Sequence, residues 1–330
     1  MSLYKHCLLC PRRCGVDREA GFRGYCGETA ELRLAFAGIH RGEEPPITGK
    51  GGSGTIFVSG CNLGCAFCQN YQISRGDISH EGRLSKEGNI SQGIGRPVSG
   101  EEFAEICMAL QNKGAENINI VTGSHAAPAL ALGIKQARKQ GLSVPVLWNS
   151  SGYDGMEILE IIKESVDVYL PDLKTLDPVF AARFFNAPDY PEAASAAILK
   201  MMEYRKLHLN ETMLSGVMIR HLVIPGHLEN TRDVLRWFAK NCKGRALLSL
   251  MTQYTPVAGG GGKHVDEGAP AIPSRYVSSE EYDSVLSMLD EFEIDDGFCQ
   301  ELVTGSGWLP DFTRPNPFSS ELSIPVWHWR

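Results

Sequence analysis

Nowhere in the 330 residues does an apolar run approach the roughly 18 needed to cross a bilayer. The N-terminus, MSLYKHC, has no apolar stretch of the kind a secretory signal needs. Positive charge is in deficit: 32 Lys and Arg against 39 Asp and Glu leave a net charge of −7. Such a chain has no overall attraction for nucleic-acid phosphates. Ten cysteines are too few for a disulfide-stapled miniprotein. Hydrophobic residues make up 43% and charged residues 22%, close to the globular average, which excludes global disorder. These absences leave a soluble, cytoplasmic-type globular protein, with neither a membrane nor a nucleic acid expected as partner.

What is present is unevenly placed. Seven of the ten cysteines, at positions 7, 10, 14, 26, 61, 65 and 68, fall in the first 68 residues. Without a signal peptide, that pattern reads as metal ligation. Residues 1–50 are rich in Cys, Arg and Gly with weak periodicity, and are expected to form a metal-held extension. Apolar strand candidates then alternate with helical patterns. TIFVS (55–59), NINIV (117–121), VPVLW (144–148), VDVYL (166–170), VMIRHLVI (217–224) and ALLSLM (246–251) are the strands. Ser99-Gly-Glu-Glu102 and Ser278-Ser-Glu-Glu281 read as capping boxes opening helices. Six strand–helix units predict an α/β core over 51–262 with a parallel sheet, either open and doubly wound or a partial barrel. Residues 263–330 would add a helix and a Pro- and aromatic-rich tail, whose Trp308, Trp327 and Trp329 are expected to pack on the core.

The chemistry concentrates in Cys61-Asn-Leu-Gly-Cys65-Ala-Phe-Cys68, directly after the first of these strands. Three thiolates on one loop can converge on one metal centre. Because four would close it, three leave a position open for a substrate or cofactor. A zinc loop with a distant fourth ligand, or buried thiols that bind nothing, are the plainer readings.

C-x3-C-x2-C with an aromatic before its last Cys resembles the signature of the radical S-adenosylmethionine (radical SAM) superfamily. GSGTIFVSGCNLGCAFCQNYQIS, VTGSH, NSSGYD, YLPDLK, RHLVIPG, SLMTQY and WLPDF are similar to its pyruvate formate-lyase activating enzyme-like branch, along nearly the whole chain. The resemblance implies a partial (β/α)6 TIM-like barrel. It implies that Cys61, Cys65 and Cys68 hold three irons of a 4Fe-4S cluster, the fourth being left to chelate S-adenosylmethionine. Reductive cleavage would then give methionine and a 5′-deoxyadenosyl radical for hydrogen abstraction, the protein positioning these groups and excluding solvent. Phe67 would pack by the cluster or the adenine. Thr122-Gly123-Ser124-His125 falls where relatives carry a G-G-E-like turn, and Asn149-Ser150-Ser151 where they carry D-T-N-G-like residues. Asp172-Leu-Lys174 resembles the D-x-K of glycyl-radical activating enzymes. All of these, with Arg220, are expected around the cofactor; His221, Gln253 and Tyr254 are expected to line the pocket.

The resemblance makes a protein or peptide the expected substrate and a reducing electron-donor protein the second partner. A peptide or cofactor maturase of the same superfamily, or a non-catalytic metal or electron-transfer module, are the alternatives. Cys7-x2-Cys10-x3-Cys14-x11-Cys26 supplies four thiolates, enough for a closed second centre of zinc or iron–sulfur, with Arg12, Arg13, Arg18 and Arg23 offsetting its charge. Gly49–Gly54 fits G-x-G-x-x-G but precedes a strand, so it reads as a turn. Gly259–Lys263 lacks the Ser/Thr of a phosphate loop and reads as a mobile loop. Cys107, Cys242 and Cys299 are expected to be buried small hydrophobes.

Overall fold

The computed structural model describes residues 3–74, 93–257 and 272–330. The Gly259–Lys263 loop and the boundary expected between 262 and 263 lie outside the described residues. The strands are β1 (Arg33–His40), β2 (Ser53–Val58), β3 (Arg96–Pro97), β4 (Ile118–Val121), β5 (Val146–Ser150), β6 (Val168–Pro171), β7 (His208–Leu209), β8 (Met213–Leu222), β9 (Leu247–Met251), β10 (Gly297–Cys299) and β11 (Ser323–His328). They form one open sheet in the order β10-β9-β8-β6-β5-β4-β2-β1-β11, with β3 on β1 and β7 on β8. From β2 to β10 every pairing along that order is parallel. This is an α/β fold with an open, mostly parallel sheet, the architecture of a partial barrel.

Parallel strands need crossovers, and helices supply them. They are α1 (Pro45–Thr48), α2 (Tyr71–Ser74), α3 (Gly100–Asn112), α4 (Ala127–Lys139), α5 (Met156–Ile162), α6 (Pro178–Phe185), α7 (Tyr190–Tyr204), α8 (Leu228–Asn241) and α9 (Ser279–Glu291). Alternation along the parallel strands β4 to β9 gives two buried faces. Ile120, Trp148, Tyr169, Ile219 and Leu248 face one way, into the large cluster shared with the helices. Leu147, Val168, Leu170, Met218 and Leu247 face the other way and are plugged by Ile47 of α1. None of the helices among the described residues is long and apolar enough to cross a membrane.

Three findings differ from the sequence reading. Strand β1 lies inside the stretch read as weakly periodic: its first seven residues are all buried, so it shows no alternation to detect. The tail contributes β11, which pairs antiparallel with β1, while the Trp327 indole N–H donates to Glu102 Oε1 at 3.1 Å. Cys299 is exposed rather than buried, because β10 is the outermost strand of the sheet. Cys107 and Cys242 are buried. Gly49–Gly54 runs from the end of α1 into β2, a turn and not the start of a helix.

Candidate active site

In a parallel sheet the loops that follow the strands gather at one end, and the candidate residues lie on them or at the ends of the strands. After β2 the chain turns at Gly60, whose φ of +87° and crowding against the Cys26 carbonyl (2.8 Å from where a Cβ would stand) require glycine. The Cys61–Cys68 loop follows, fixed by three neighbours. The Ala66 N–H donates to the Phe184 carbonyl at 2.8 Å, and Asn62 Nδ2 to the Tyr153 carbonyl at 2.6 Å. Gln69 Nε2 donates to the Gln253 carbonyl at 2.7 Å. Phe67 is buried among Phe184, Phe185 and Tyr254, ring centroids 5.9–6.1 Å away.

Cys65 and Cys68 are close enough to each other and to Cys61 to interact electrostatically. Burial pushes the Cys65 thiol up to about 12, against the pull of Lys174, and raises Cys68 as well. A thiolate there is unfavourable unless a metal cation displaces the proton, and a metal does so outright. The Leu63 N–H points at Cys61 Sγ, 3.4 Å away. Among the described residues no three Cys, His, Asp or Glu side chains converge tightly enough to enclose a metal ion. The donor set fits a thiophilic iron centre: three neighbouring sulfurs on one loop, with a cationic Lys174 beside them.

The loops after β4 and β5 are locked together by a residue the sequence reading did not single out. Asp154 is buried and accepts hydrogen bonds from Ser124 Oγ at 2.5 Å and Ser150 Oγ at 2.6 Å. Burial raises its carboxyl above the ordinary range; the two hydroxyls offset this in part. Ser124 and Ser150 thus turn inward to a carboxylate and act as braces. Thr122 takes φ +63°, unusual for a β-branched residue, while its N–H donates to the Asn149 carbonyl at 2.8 Å. Gly123 is demanded by space, since a Cβ would meet Leu130 and Trp148 at 2.7–2.8 Å. His125 is buried with Nε2 2.7 Å from the Ser59 carbonyl, so Nε2 carries the proton. Its Nδ1 and Ser151 Oγ are buried polar atoms without a hydrogen-bond partner.

After β6, Lys174 Nζ donates to Asp172 Oδ2 at 2.5 Å. Burial opposes the charge on Lys174, but Asp172 more than compensates and raises its pKa. The pair stands within electrostatic reach of Cys65. The Tyr190 hydroxyl joins this loop to the preceding one, lying 2.9 Å from both the Ser151 and Asp172 carbonyls. Arg220, expected around the cofactor, is engaged by two acids. Its guanidinium binds Glu43 at 2.6 Å and, through Nε, Glu44 at 2.9 Å. Neither glutamate was singled out in the sequence. His221 is buried against Leu173 and Thr231, Gln253 bonds Gln300, and the Tyr254 hydroxyl donates to the Pro273 carbonyl.

A family model for the radical SAM superfamily matches residues 55–238, from β2 through α8. The chain belongs to the radical SAM superfamily. Membership implies a 4Fe-4S cluster and S-adenosylmethionine as cofactors, and Cys61, Cys65 and Cys68 fall within the matched region. An uncharacterised protein of Methanocaldococcus jannaschii is 28% identical over 295 residues, covering 89% of this radical SAM chain and 77% of that one. Among solved structures, Streptococcus suis SuiB bound to precursor peptide SuiA aligns over 76% of this chain and 47% of its own (13% identity, TM-score 0.47). The chain therefore spans about half the length of SuiB. Escherichia coli QueE aligns over 82% and 94% respectively (11% identity, TM-score 0.44). A domain of Bacteroides vulgatus pyruvate-formate lyase-activating enzyme aligns over 52% and 89% (14% identity, TM-score 0.36).

Proposed function

We propose that this radical SAM chain holds its cluster on Cys61, Cys65 and Cys68, cleaves S-adenosylmethionine there reductively, and takes a hydrogen atom from a protein or peptide. The observation that carries this is the three-thiol loop at the end of β2, with the Asp172–Lys174 pair beside Cys65. When bound, the cluster supplies the electron that cleaves the sulfonium. The chain's own residues orient and exclude water. Phe67, Phe184, Phe185 and Tyr254 wall one side of the loop, and Asp154 and Tyr190 brace the loops opposite. Lys174 offers a charge to a carboxylate and Asp172 an acceptor to an ammonium.

A protein or peptide substrate is supported by the sequence resemblance to activating enzymes and by a cleft at the same end of the sheet. That cleft, of about 540 Å³, lies between Asp177, Phe180, His227, Glu229 and Glu281. It adjoins the Lys174 loop through Asn230, whose Nδ2 donates to the Lys174 carbonyl at 2.8 Å. Glycyl-radical installation on a partner, with a reducing protein as electron donor, is the activity we assign within this class. The test is 5′-deoxyadenosine formation by anaerobically reconstituted protein with S-adenosylmethionine and a strong reductant. Wild type should form it and Cys61→Ala should not; equal yields from both would remove the cluster assignment. A glycyl radical signal on a co-incubated partner tests the finer reading.

A further inference from the structure

The four N-terminal cysteines take no part in the proposed reaction, yet the chain folds around them. Residues 3–32 contain no helix or strand, and Cys7 and Cys26 are buried within them. Cys14 Sγ lies 3.9 Å from the Cys7 carbonyl, and the two thiols are near enough to interact. Cys10 interacts electrostatically with Cys14, and Cys26 with Cys10. Gly24 leaves a gap where a Cβ would stand 3.3 Å from Cys26 Sγ and 3.4 Å from Cys14 Sγ, so a side chain there would intrude between the sulfurs. The buried Arg18 places Nη1 3.8 Å from Cys7 Sγ, a cation suited to four thiolates around a divalent ion. As with the Cys61–Cys68 loop, the sulfurs are neighbours that have not closed on a point.

We propose that Cys7, Cys10, Cys14 and Cys26 hold one tetrahedral zinc-type ion, and that this centre anchors the loops of the active site. A mononuclear ion is favoured over a second cluster by sequence spacing, since C-x2-C-x3-C-x11-C does not match the C-x2-C-x2-C-x3-C run of bacterial ferredoxins. The anchoring runs through named bonds. The Cys61 N–H donates to the Cys26 carbonyl at 3.2 Å, joining the last ligand of one set to the first of the other. Arg12, between Cys10 and Cys14, donates to the carbonyls of Asn62 at 2.9 Å, Leu63 at 2.8 Å and Phe185 at 2.8 Å. Arg18 Nη1 donates to the His125 carbonyl at 2.7 Å.

The proposal stands apart from the substrate and from the radical chemistry, and its test needs neither. Full-length protein is assayed for zinc, iron and sulfide, and its zinc site is read by X-ray absorption. The expected result is about one zinc per chain with sulfur neighbours at about 2.3 Å. It should be retained in the Cys61→Ser/Cys65→Ser/Cys68→Ser variant and lost in Cys10→Ser/Cys14→Ser. Absence of zinc from the wild type, or its loss with the loop cysteines, overturns the site. Iron and sulfide persisting in the triple variant overturn the mononuclear assignment. For the anchoring, stripping zinc with a chelator should speed amide exchange at residues 59–63 and 122–125 by about tenfold or more. Unchanged exchange there overturns that part.

Discussion

His221 is fully buried on β8, with Nδ1 2.7 Å from the Leu173 carbonyl and Nε2 3.0 Å from Thr231 Oγ1. A carbonyl only accepts, so Nδ1 carries the proton and Nε2 takes the threonine hydroxyl. Burial pulls the imidazole from 6.5 down to about 4. Because the folded value lies below the unfolded one, the neutral ring's contribution is complete above pH 6.5 and is lost as pH falls towards 4. Urea stability of the wild type should therefore decline across that window, and His221→Gln should flatten the decline; an unchanged slope would refute the assignment. At this scale the sequence disclosed residue types better than roles. Ser124 and Ser150 stand out as polar residues on loops. That both spend their hydroxyls on Asp154, 30 and 4 residues away, is set by the meeting of two strand ends.

Helix α9 shows how far local chemistry can be read. Its capping box is closed in both directions: Ser278 Oγ accepts the Glu281 N–H, and Glu281 accepts the Ser278 N–H. Ser278→Ala should cost about 1 kcal/mol, measurable by thermal or urea unfolding. Glu281 also binds Arg275 and, from the Gly226 N–H at 2.7 Å, the loop after β8. Arg275 is the main reason its carboxyl drops from 4.5 to about 2. The stability it adds is complete above pH 4.5 and fades as pH falls towards 2, so Glu281→Gln should remove that acid limb. Helix α3 carries the same pattern with a different outcome. Ser99 caps the Glu102 N–H, but the Glu102 carboxylate turns away to Arg96 and Trp327. A four-residue motif cannot register partners that arrive from position 327. Strand β1 was hidden for a related reason: with both faces covered, its pattern has no polar side to reveal its period.

Across the whole molecule, Arg220 links the first strand's exit to the far side of the sheet. It holds Glu43 and Glu44, 177 and 176 residues away, and Glu43 Oε1 also accepts Asn119 Nδ2 at 3.0 Å. Burial alone would push the Glu44 carboxyl up; Arg220 overrides this and leaves it below its ordinary value. Arg220→Ala would strand two part-buried carboxylates and should cost about 3 kcal/mol at neutral pH. Adding Glu43→Gln and Glu44→Gln should recover part of it. Full stability in the single variant, by urea unfolding, would show that the network contributes nothing.

The sequence by itself determined the alternation of strands and helices, hence an α/β parallel core, because hydrophobic period and caps are local properties of the chain. It likewise marked Cys61, Cys65 and Cys68 as candidates, because their close spacing on one loop is a local property of the chain. The tertiary structure alone decided that Arg220 answers to Glu43 and Glu44, that the tail adds an edge strand beside β1, and that Cys26 and Cys61 join two thiol sets. Those pairings depend on which strand ends meet. Packing of the whole sheet selects that meeting, and no window of neighbouring residues contains it.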